Sequence, residues 1–378
     1  MPQASERQPV RRRRPARFIL IALIAVVGVQ VPLMVALARL IGHVAPVLIV
    51  PGALSAVFLF GLRNRRAMWG ATSPARLYLV MWPFFIWWTA GLVFLFAAPV
   101  ALGVGRLIHL GTNVSLVISL AITAAGVAIA FRQRPRIRAR DVVITGLPPA
   151  FDGYRIVQIS DLHCGPYASG SRVAGWVAAA NGLQADLVAV TGDLIASGPA
   201  FVPVVAGELG RLRARDGVFV CMGNHDYFTD GEAMVQALEA AGLSVLRNRG
   251  VDIRRGEAMI HVAGVDDTWS QRHDLDRALA ARTPGTASVL LAHDPALFSE
   301  AAHRRVDLTL SGHTHGGQLA LPIFGRRWNM ARLMTSFTTD LYKIGESTLY
   351  VNRGLGTTGP PIRLGVPPEI AVITLRAA

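Results

Sequence analysis

The chain has 378 residues, of which 52% are hydrophobic, and its mean hydropathy of +0.41 is high for a soluble globular protein. Residues 1–140 contain 17 arginines and one acidic residue, whereas residues 141–378 contain 21 basic and 23 acidic residues. This distribution argues against nucleic acid as a partner, because the part of the chain outside the apolar segments has no basic excess. The two cysteines are too few for a disulfide framework.

The N-terminal third predicts a membrane region. Residues 1–17 form a polar tail with several arginines, which we predict to be disordered and cytoplasmic. Apolar segments follow at 18–40, 44–62, 77–102 and 107–131. Each approaches the ~20 residues that a helix needs to cross a hydrocarbon core about 30 Å thick. We therefore predict about four transmembrane helices over residues 18–131.

Arginine placement predicts the orientation of these helices. Arginines cluster in the tail, in the connection 63–76 and after the last apolar segment, while the other two connections hold only Arg39 and Arg106. Excess positive charge stays on the cytoplasmic side of a membrane. The pattern predicts a multi-pass inner-membrane protein whose C-terminal domain lies in the cytoplasm, and a miscount of one span would reverse that side.

Residues 132–143 are predicted to be a basic linker, in which arginine alternates with other residues. Each arginine near an anionic membrane surface contributes about 1 kcal/mol to lipid binding, so this stretch can hold lipid headgroups. A topology signal without any lipid site explains the same arginines equally well.

Residues 144–378 are predicted to form an α/β domain, because short apolar strands alternate with amphipathic helices. The predicted strands that lead into polar blocks are 155–160, 186–190, 217–222, 288–291 and 308–310. The predicted helices are 173–180, 202–213, 233–241 and 274–282. Segments 244–246 and 258–263 are predicted strands of a second sheet, and 319–321, 348–351 and 370–374 are further short strands. In such domains the functional site lies at the ends of the strands.

Five polar blocks follow predicted strands and together offer carboxylate, imidazole and amide side chains. The blocks are Asp161-Leu162-His163, Gly192-Asp193, Gly223-Asn224-His225-Asp226, His293 and Gly312-His313-Thr314-His315. This mixture suits two adjacent divalent cations, and nitrogen and oxygen ligands without thiolate favour manganese, iron or zinc. Five of the ten histidines fall inside the blocks, which argues against a purely structural role for them.

The blocks, in this order, resemble the calcineurin-like metallophosphoesterase family, from about Ile144 to the C-terminus. The runs Gly316-Gly317-Gln318 and Asn352-Arg353-Gly354-Leu355-Gly356 resemble one bacterial branch of that family. That branch contains membrane-anchored phosphodiesterases and is similar to some UDP-2,3-diacylglucosamine pyrophosphatases. The resemblance implies a four-layer α/β/β/α sandwich, here preceded by the four-helix transmembrane region.

The resemblance also implies roles for the block residues. The first of two cations would be held by Asp161, His163, Asp193 and His315. The second would be held by Asp193, Asn224, His293 and His313. A hydroxide bridging the cations would attack phosphorus. His225 would then protonate or hydrogen-bond the leaving oxygen, with Asp226 orienting its ring.

Four arginines are candidates for binding the substrate, because an arginine fork matches the geometry of phosphate oxygens. Arg326 and Arg327 lie in an apolar loop at 322–328, and Arg353 and Arg363 lie in the Gly/Pro-rich closing stretch. Ordinary packing of the first pair and tethering of loops by the second pair remain equally open interpretations.

The sequence favours a membrane-anchored phosphodiesterase or pyrophosphatase, with membrane lipids and a phosphoester or lipid-pyrophosphate substrate as its partners. A phosphomonoesterase or nucleotide phosphodiesterase acting on a soluble substrate is the alternative within enzymes. A non-catalytic membrane scaffold would have lost ligands, yet every expected ligand is present. A transporter would carry ionisable residues inside its spans, and these spans hold almost none.

Overall fold

The computed structural model describes residues 24–62, 73–228, 230–320, 329–333 and 335–378. It forms two compact units, one from residues 1–60 and 78–127 and the other from residues 61–77 and 128–378. The predicted tail at 1–17 and the arginine pair Arg326 and Arg327 lie outside the described residues.

The N-terminal part is helical, as its apolar segments predict. Its helices are α1 (Val31–Ile41), α2 (Ala45–Leu62), α3 (Trp82–Leu107) and α4 (Thr112–Phe131). Three described stretches are long and apolar enough to cross a membrane, namely Ile24–Ile41, Pro74–Leu107 and Thr112–Phe131. In α2 the qualifying apolar stretch is shorter, Val47–Phe58, so a fourth span remains a prediction.

The first unit carries many apolar side chains on its outside, and its inside contains both aromatic and polar side chains. Leu79 is 72% exposed, whereas Gln30 is buried and its amide donates to the hydroxyl of Ser55 at 3.1 Å. The rings of Phe58 and Phe84 stack with centroids 4.0 Å apart. Exposed apolar surface on this scale needs a non-aqueous surrounding, which a bilayer provides.

The second unit contains two six-stranded sheets, with strand orders β1-β12-β2-β3-β4-β5 and β10-β11-β9-β8-β7-β6. The strands of the first sheet are β1 (Arg136–Ile144), β2 (Arg155–Ile159), β3 (Leu187–Thr191), β4 (Val218–Cys221), β5 (Ser244–Val245) and β12 (Glu369–Ala377). Those of the second are β6 (Arg249–Arg255), β7 (Ala258–Gly264), β8 (Ser288–Leu291), β9 (Leu308–Ser311), β10 (Asp340–Ile344) and β11 (Ser347–Val351).

Helices cover the outer face of each sheet. They are α5 (Gly170–Asn181), α6 (Val202–Leu209), α7 (Gly231–Ala240), α8 (Leu275–Leu279) and α9 (Phe298–His303). Single 3₁₀ turns lie at Gly28–Gln30, Pro149–Phe151, Pro199–Phe201, His225–Tyr227, Pro295–Leu297, His315–Gly317 and Met330–Leu333. The expected cap of α7 is present, since the carboxylate of Asp230 accepts from the Ala233 amide at 3.1 Å.

Three separate hydrophobic clusters correspond to the three interfaces of a four-layer sandwich. One joins the first sheet to α5, α6 and α7 and includes Val188 and Leu238. The second lies between the sheets and includes Ile156 and Leu308. The third packs α8 and α9 on the second sheet, around Leu290. The expected helix–sheet–sheet–helix fold is therefore confirmed. The central parallel strands are buried on both faces, which is why most of their residues are apolar.

The stretch expected to be a linker, 132–143, largely belongs to the first sheet. Strand β1 starts at Arg136 and pairs in parallel with β12 over nine residues, from Arg136↔Glu369 to Ile144↔Ala377. Alternation along the strand places Arg136, Arg138 and Arg140 on one face. The arginines hid this strand from sequence analysis, because the apolar alternation that predicts a strand is weak there.

Two predicted strands also differ. Segment 244–246 was expected in the second sheet, but Ser244–Val245 pairs with β4 in the first, because helix α7 returns the chain beside β4. Of the predicted strand 319–321, the described residues Leu319 and Ala320 form isolated bridges: Leu319 bridges Leu364 and Gly365, and Ala320 bridges Asn329.

Candidate metal centre

The predicted polar blocks lie at the ends of strands from both sheets. Asp161 follows β2, Asp193 follows β3 and Asn224 follows β4, while His293 follows β8 and His313 follows β9. The carboxyl ends of neighbouring parallel strands lie on one edge of a sheet, so loops far apart in sequence meet there. The two sheets face each other across one hydrophobic cluster, and this brings both sets of loops together.

One group of candidate ligands consists of Asp161, His163 and His315, all buried, with ligand atoms within 4.8 Å of one another. Nε2 of His315 lies 3.0 Å from Nε2 of His163 and 3.5 Å from Oδ1 of Asp161. The spacing allows a single cation to contact all three side chains.

A second group consists of Asp193, His293 and His313, again with ligand atoms within 4.8 Å. Nε2 of His293 lies 3.3 Å from Oδ2 of Asp193 and 3.2 Å from Nδ1 of His313. The same Oδ2 atom lies 3.6 Å from Nε2 of His163 in the first group. The carboxylate of Asp193 therefore lies between the two groups.

Asn224 tests whether these residues fit a cation. Its side-chain oxygen is buried and has no hydrogen-bond partner among the described residues. Both chain neighbours contact Asp193: the His225 amide donates to its Oδ1 at 2.9 Å, and a side chain at Gly223 would collide with the carboxylate. A buried amide oxygen without a partner costs free energy. A divalent cation beside Asp193 would satisfy that oxygen, so the donor set fits a metal.

The candidate ligands share an unusual backbone conformation. Five of them have φ in the left-handed region: Asp161 (50°), His163 (45°), Asp193 (54°), His313 (69°) and His315 (52°). This conformation costs free energy for residues other than glycine, and it persists only where the surrounding structure holds it. This strain, repeated at side chains that converge, is typical of a functional site.

Asp226 holds two of these loops. Its fully buried carboxylate accepts from the amides of Gly223 at 2.9 Å, Asp193 at 3.0 Å, Leu194 at 2.8 Å and Ile195 at 3.3 Å. The carboxylate thus ties the loop after β3 to the loop after β4. Burial, and next the charge of Asp193, raise the pKa of Asp226 to about 7, whereas the four amide donors favour its ionised form, whose bonds are stronger than neutral ones.

The expected orienting contact from Asp226 to the ring of His225 is therefore wrong. The carbonyl oxygen of Ala196 lies 2.9 Å from Nδ1 of His225 and takes that place. A carbonyl only accepts, so Nδ1 carries the proton and Nε2 is the nitrogen available to a substrate. Asp226 acts on the backbone that carries His225, and spacing within the block gives no sign of this.

Burial and charge set the protonation of the centre without a cation. Burial lowers the pKa of His163 to about 3 and that of His315 well below its usual value. Burial raises the pKa of Asp161 to about 7. Burial alone would shift Asp193 and His293 toward their neutral forms, but their mutual attraction lowers the pKa of Asp193 and raises that of His293 to about 10. His163 and His315 are therefore neutral, as metal ligands must be, whereas a cation would have to displace the proton that Asp193 holds on His293.

Two exposed aromatic residues flank the centre and were not predicted. Phe228, 60% exposed, has its ring centroid 4.5 Å from that of His225. Trp269, 56% exposed, has its ring centroid 5.3 Å from that of His313. The proximity of Phe228 to the Gly223–Asp226 block was a usable signal, whereas Trp269 lies in a loop without a motif. Large apolar side chains left exposed at a site are available to a ligand.

Arg353 and Arg363, predicted as substrate candidates, are buried and tether loops. Nη2 of Arg363 donates to the carbonyl oxygen of Arg353 at 2.8 Å and lies 3.2 Å from Nδ1 of His315. Arg353 donates to Thr339 at 2.8 Å and pairs with Glu369 at 3.4 Å. The structure therefore places both arginines behind the candidate ligands.

Comparisons with known proteins agree with this geometry. A family model for calcineurin-like phosphoesterases matches residues 154–317. A protein of Danio rerio, described as a transmembrane protein with a metallophosphoesterase domain, is 34% identical over 282 residues, or 71% of this chain and 63% of its own length. The uncharacterized metallophosphoesterase YkuE of Bacillus subtilis (strain 168) is 33% identical over 240 residues, or 61% of this chain and 82% of its own.

The chain spans less than two thirds of the length of the Danio rerio relative. Among solved structures, that of an archaeal phosphodiesterase aligns with 53% of this chain and 84% of its own, at a TM-score of 0.27 and 11% identity. That likeness is too distant to bear on function.

Proposed function

Because the chain belongs to the calcineurin-like phosphoesterase family, we propose that it is a membrane-anchored hydrolase that cleaves a phosphodiester or pyrophosphate bond with two divalent cations. Metal dependence is a property of the family, and each of the two groups described above can hold a metal ion. His225 also lies close to His163 and Asp193 in a third group, and we assign it to the leaving oxygen instead. The observation that carries the proposal is the position of Asp193, whose Oδ2 lies 3.6 Å from His163 and 3.3 Å from His293. A carboxylate in that position can contact a cation on either side.

Each cation would have its own set of residues. Asp161, His163 and His315 would hold one with Asp193, and Asn224, His293 and His313 would hold the other with the same carboxylate. Manganese, iron or zinc suit these ligands. When bound, two such ions lower the pKa of a water toward ~7 and polarise phosphoryl oxygens.

The leaving oxygen needs a proton or a hydrogen bond, and His225 can supply it. The Ala196 carbonyl fixes its Nδ1, and the amide of His225 donates to Asp193, so the ring is held beside the candidate ligands. When the ring is protonated on both nitrogens, Nε2 can donate a hydrogen bond or its proton to the leaving oxygen, a contribution of about 10²–10⁴ in rate.

Phe228 and Trp269 support an organic substrate over inorganic phosphate. Their exposed rings stand next to His225 and His313, where the group beyond the scissile bond would pack. Membrane association raises the effective concentration of substrates in the bilayer. With the resemblance to the UDP-diacylglucosamine pyrophosphatase branch, this favours a lipid-linked phosphoester or pyrophosphate.

The test uses the full chain purified in detergent with Mn²⁺ and three substrates: an aryl phosphodiester, an aryl phosphomonoester and a lipid pyrophosphate. We expect the diester and the pyrophosphate to turn over faster than the monoester. Asp193→Asn should abolish the activity, which excludes a contaminant. Preference for the monoester would support a phosphomonoesterase, and no turnover of any substrate would revive the scaffold interpretation.

We also propose that α2 completes four spans in an inner membrane and that the phosphoesterase domain lies in the cytoplasm. The support is the arginine asymmetry together with the 18 residues of α2. A C-terminal fluorescent-protein fusion should fluoresce, while a C-terminal alkaline phosphatase fusion, which needs export to fold, should be inactive. The opposite pair of results would place the domain outside the cytoplasm.

A further inference from the structure

A basic cavity opens where helix α4 ends. It has a volume of about 480 Å³, and every residue lining it belongs to the second unit. Six arginines line it: Arg132, Arg134, Arg136, Arg138, Arg353 and Arg363. None of the described lining residues is acidic. The first four arginines come from the stretch after α4 and the other two from near the C-terminus, so only the folded chain assembles the cavity.

The charges around this cavity do not balance. Arg138 and Arg353 share one carboxylate, that of Glu369, at 3.2 and 3.4 Å. Arg363 is buried, and its guanidinium contacts backbone carbonyl oxygens and the ring of His315. Two further carboxylates act on these arginines, but Asp340 is bonded to Arg140 and Asp161 belongs to the metal centre. Counted against Glu369 alone, the six arginines have a formal excess of five positive charges. Buried and half-buried cations are costly unless an anion compensates them.

Arg140 lies on the same face of strand β1 as Arg136 and Arg138 but, unlike them, has a carboxylate of its own. Its guanidinium makes two bonds of 2.8 Å to the carboxylate of Asp340, and it does not line the cavity. A topology signal explains the number of arginines after α4. It does not explain why the arginine with its own carboxylate lies outside the cavity, while arginines from two distant segments converge inside it.

The position of the cavity indicates the source of the anion. It begins at Ile129, in the last turn of α4, and this side chain is 64% exposed. Helix α4 is long and apolar enough to cross a membrane, and a helix that does so ends at the level of the lipid headgroups. Arginines at that level attract anionic lipids.

We propose that this cavity binds the phosphate group of an anionic phospholipid headgroup. Three exposed arginines, Arg132, Arg134 and Arg136, contact the incoming phosphate group. Its negative charge also offsets the positive charge of the buried arginines. The proposal does not depend on hydrolysis at the metal centre. Its test therefore measures lipid binding and leaves the residues of the metal centre unchanged.

The full chain in detergent is titrated with dioctanoyl phosphatidylglycerol, dioctanoyl phosphatidylcholine and inorganic phosphate, with binding followed by thermophoresis. The variant is Arg132→Gln/Arg134→Gln/Arg136→Gln. The control is Arg211→Gln/Arg215→Gln/Arg254→Gln, which removes the same charge at side chains 68, 67 and 64% exposed outside the cavity. Thermal melting of each variant confirms that it is folded.

We expect the protein to bind phosphatidylglycerol at least tenfold more tightly than phosphatidylcholine. The variant should lose roughly 100-fold in affinity for phosphatidylglycerol, about fivefold for each arginine, and the control should change less than twofold. If the triple variant has a lowered melting temperature, Arg134→Gln alone replaces it, and we expect this single variant to lose about fivefold in affinity for phosphatidylglycerol.

Three results would overturn the proposal. Equal phosphatidylglycerol affinity in the variant and the control would show that the cavity does not bind the lipid. Equal affinity for phosphatidylglycerol and phosphatidylcholine would show that the cavity does not select an anionic lipid. Inorganic phosphate binding as tightly as phosphatidylglycerol, with the same dependence on the three arginines, would identify a site for free phosphate. Phosphate bound at the metal centre would not depend on these arginines.

Discussion

Replacing Asp226 by asparagine tests whether the two central loops depend on one carboxylate. Oδ1 accepts from Leu194 and Ile195, and Oδ2 accepts from Gly223 and Asp193. Asparagine keeps one acceptor oxygen and puts an NH₂ group against two amide donors. Two bonds to a charged acceptor, at about 1.5–3 kcal/mol each, are lost. We expect a loss of about 3–6 kcal/mol in the free energy of unfolding.

In a domain of this size about 1 kcal/mol lowers Tm by roughly 2–4 °C, so Tm should fall by roughly 6–24 °C. The assay is thermal unfolding of the full chain in detergent, with bound metal measured by mass spectrometry. Asp230→Asn is the matched control, because Asp230 is an exposed helix cap and asparagine caps as well as aspartate. If the two variants melt within 2 °C of each other and retain equal metal, Asp226 does not hold the loops.

Three further predictions address the centre and its support. His225→Ala should lower kcat about 10²–10⁴-fold and leave bound metal unchanged, because His225 acts on the leaving group; metal analysis beside steady-state kinetics checks both parts. Asn224→Ala should weaken the binding of one cation at least tenfold, since the amide oxygen lacks any other described partner, and a metal titration would show one weakened site of two. Glu369→Gln should cost about 3–5 kcal/mol of stability, because Arg138 and Arg353 lose their shared carboxylate; a Tm change under 3 °C would contradict this.

Local patterns were sufficient to predict the α/β architecture and the convergence of the polar blocks. Strands β2, β3 and β8 are apolar runs ending at a polar residue, and that pattern survives in any tertiary context because both faces of these strands are buried. The block residues Asp161, Asp193 and His293 could be located because each stands directly after such a strand. The apolar helices were equally clear, since their length and composition alone meet the requirement of a bilayer.

Other features depend on contacts between segments far apart in sequence. The role of Asp226 is set by amides more than 30 residues away, and the partner of strand β1 lies at the far end of the chain. The spacing of residues inside a block contains no information about such contacts. The sequence therefore predicts a contact from Asp226 to the ring of His225 and a linker in place of β1, and both predictions are wrong.

The sequence by itself determined the class of fold, the membrane segments and the list of candidate ligands, because each depends on local composition and order. Only the tertiary structure decided which side chains face one another. It placed the carboxylate of Asp193 between two histidine groups, set Phe228 and Trp269 beside His225 and His313, and gathered arginines from both ends of the domain around one cavity. Proximity in space is created by the packing of two sheets, and no local pattern records it.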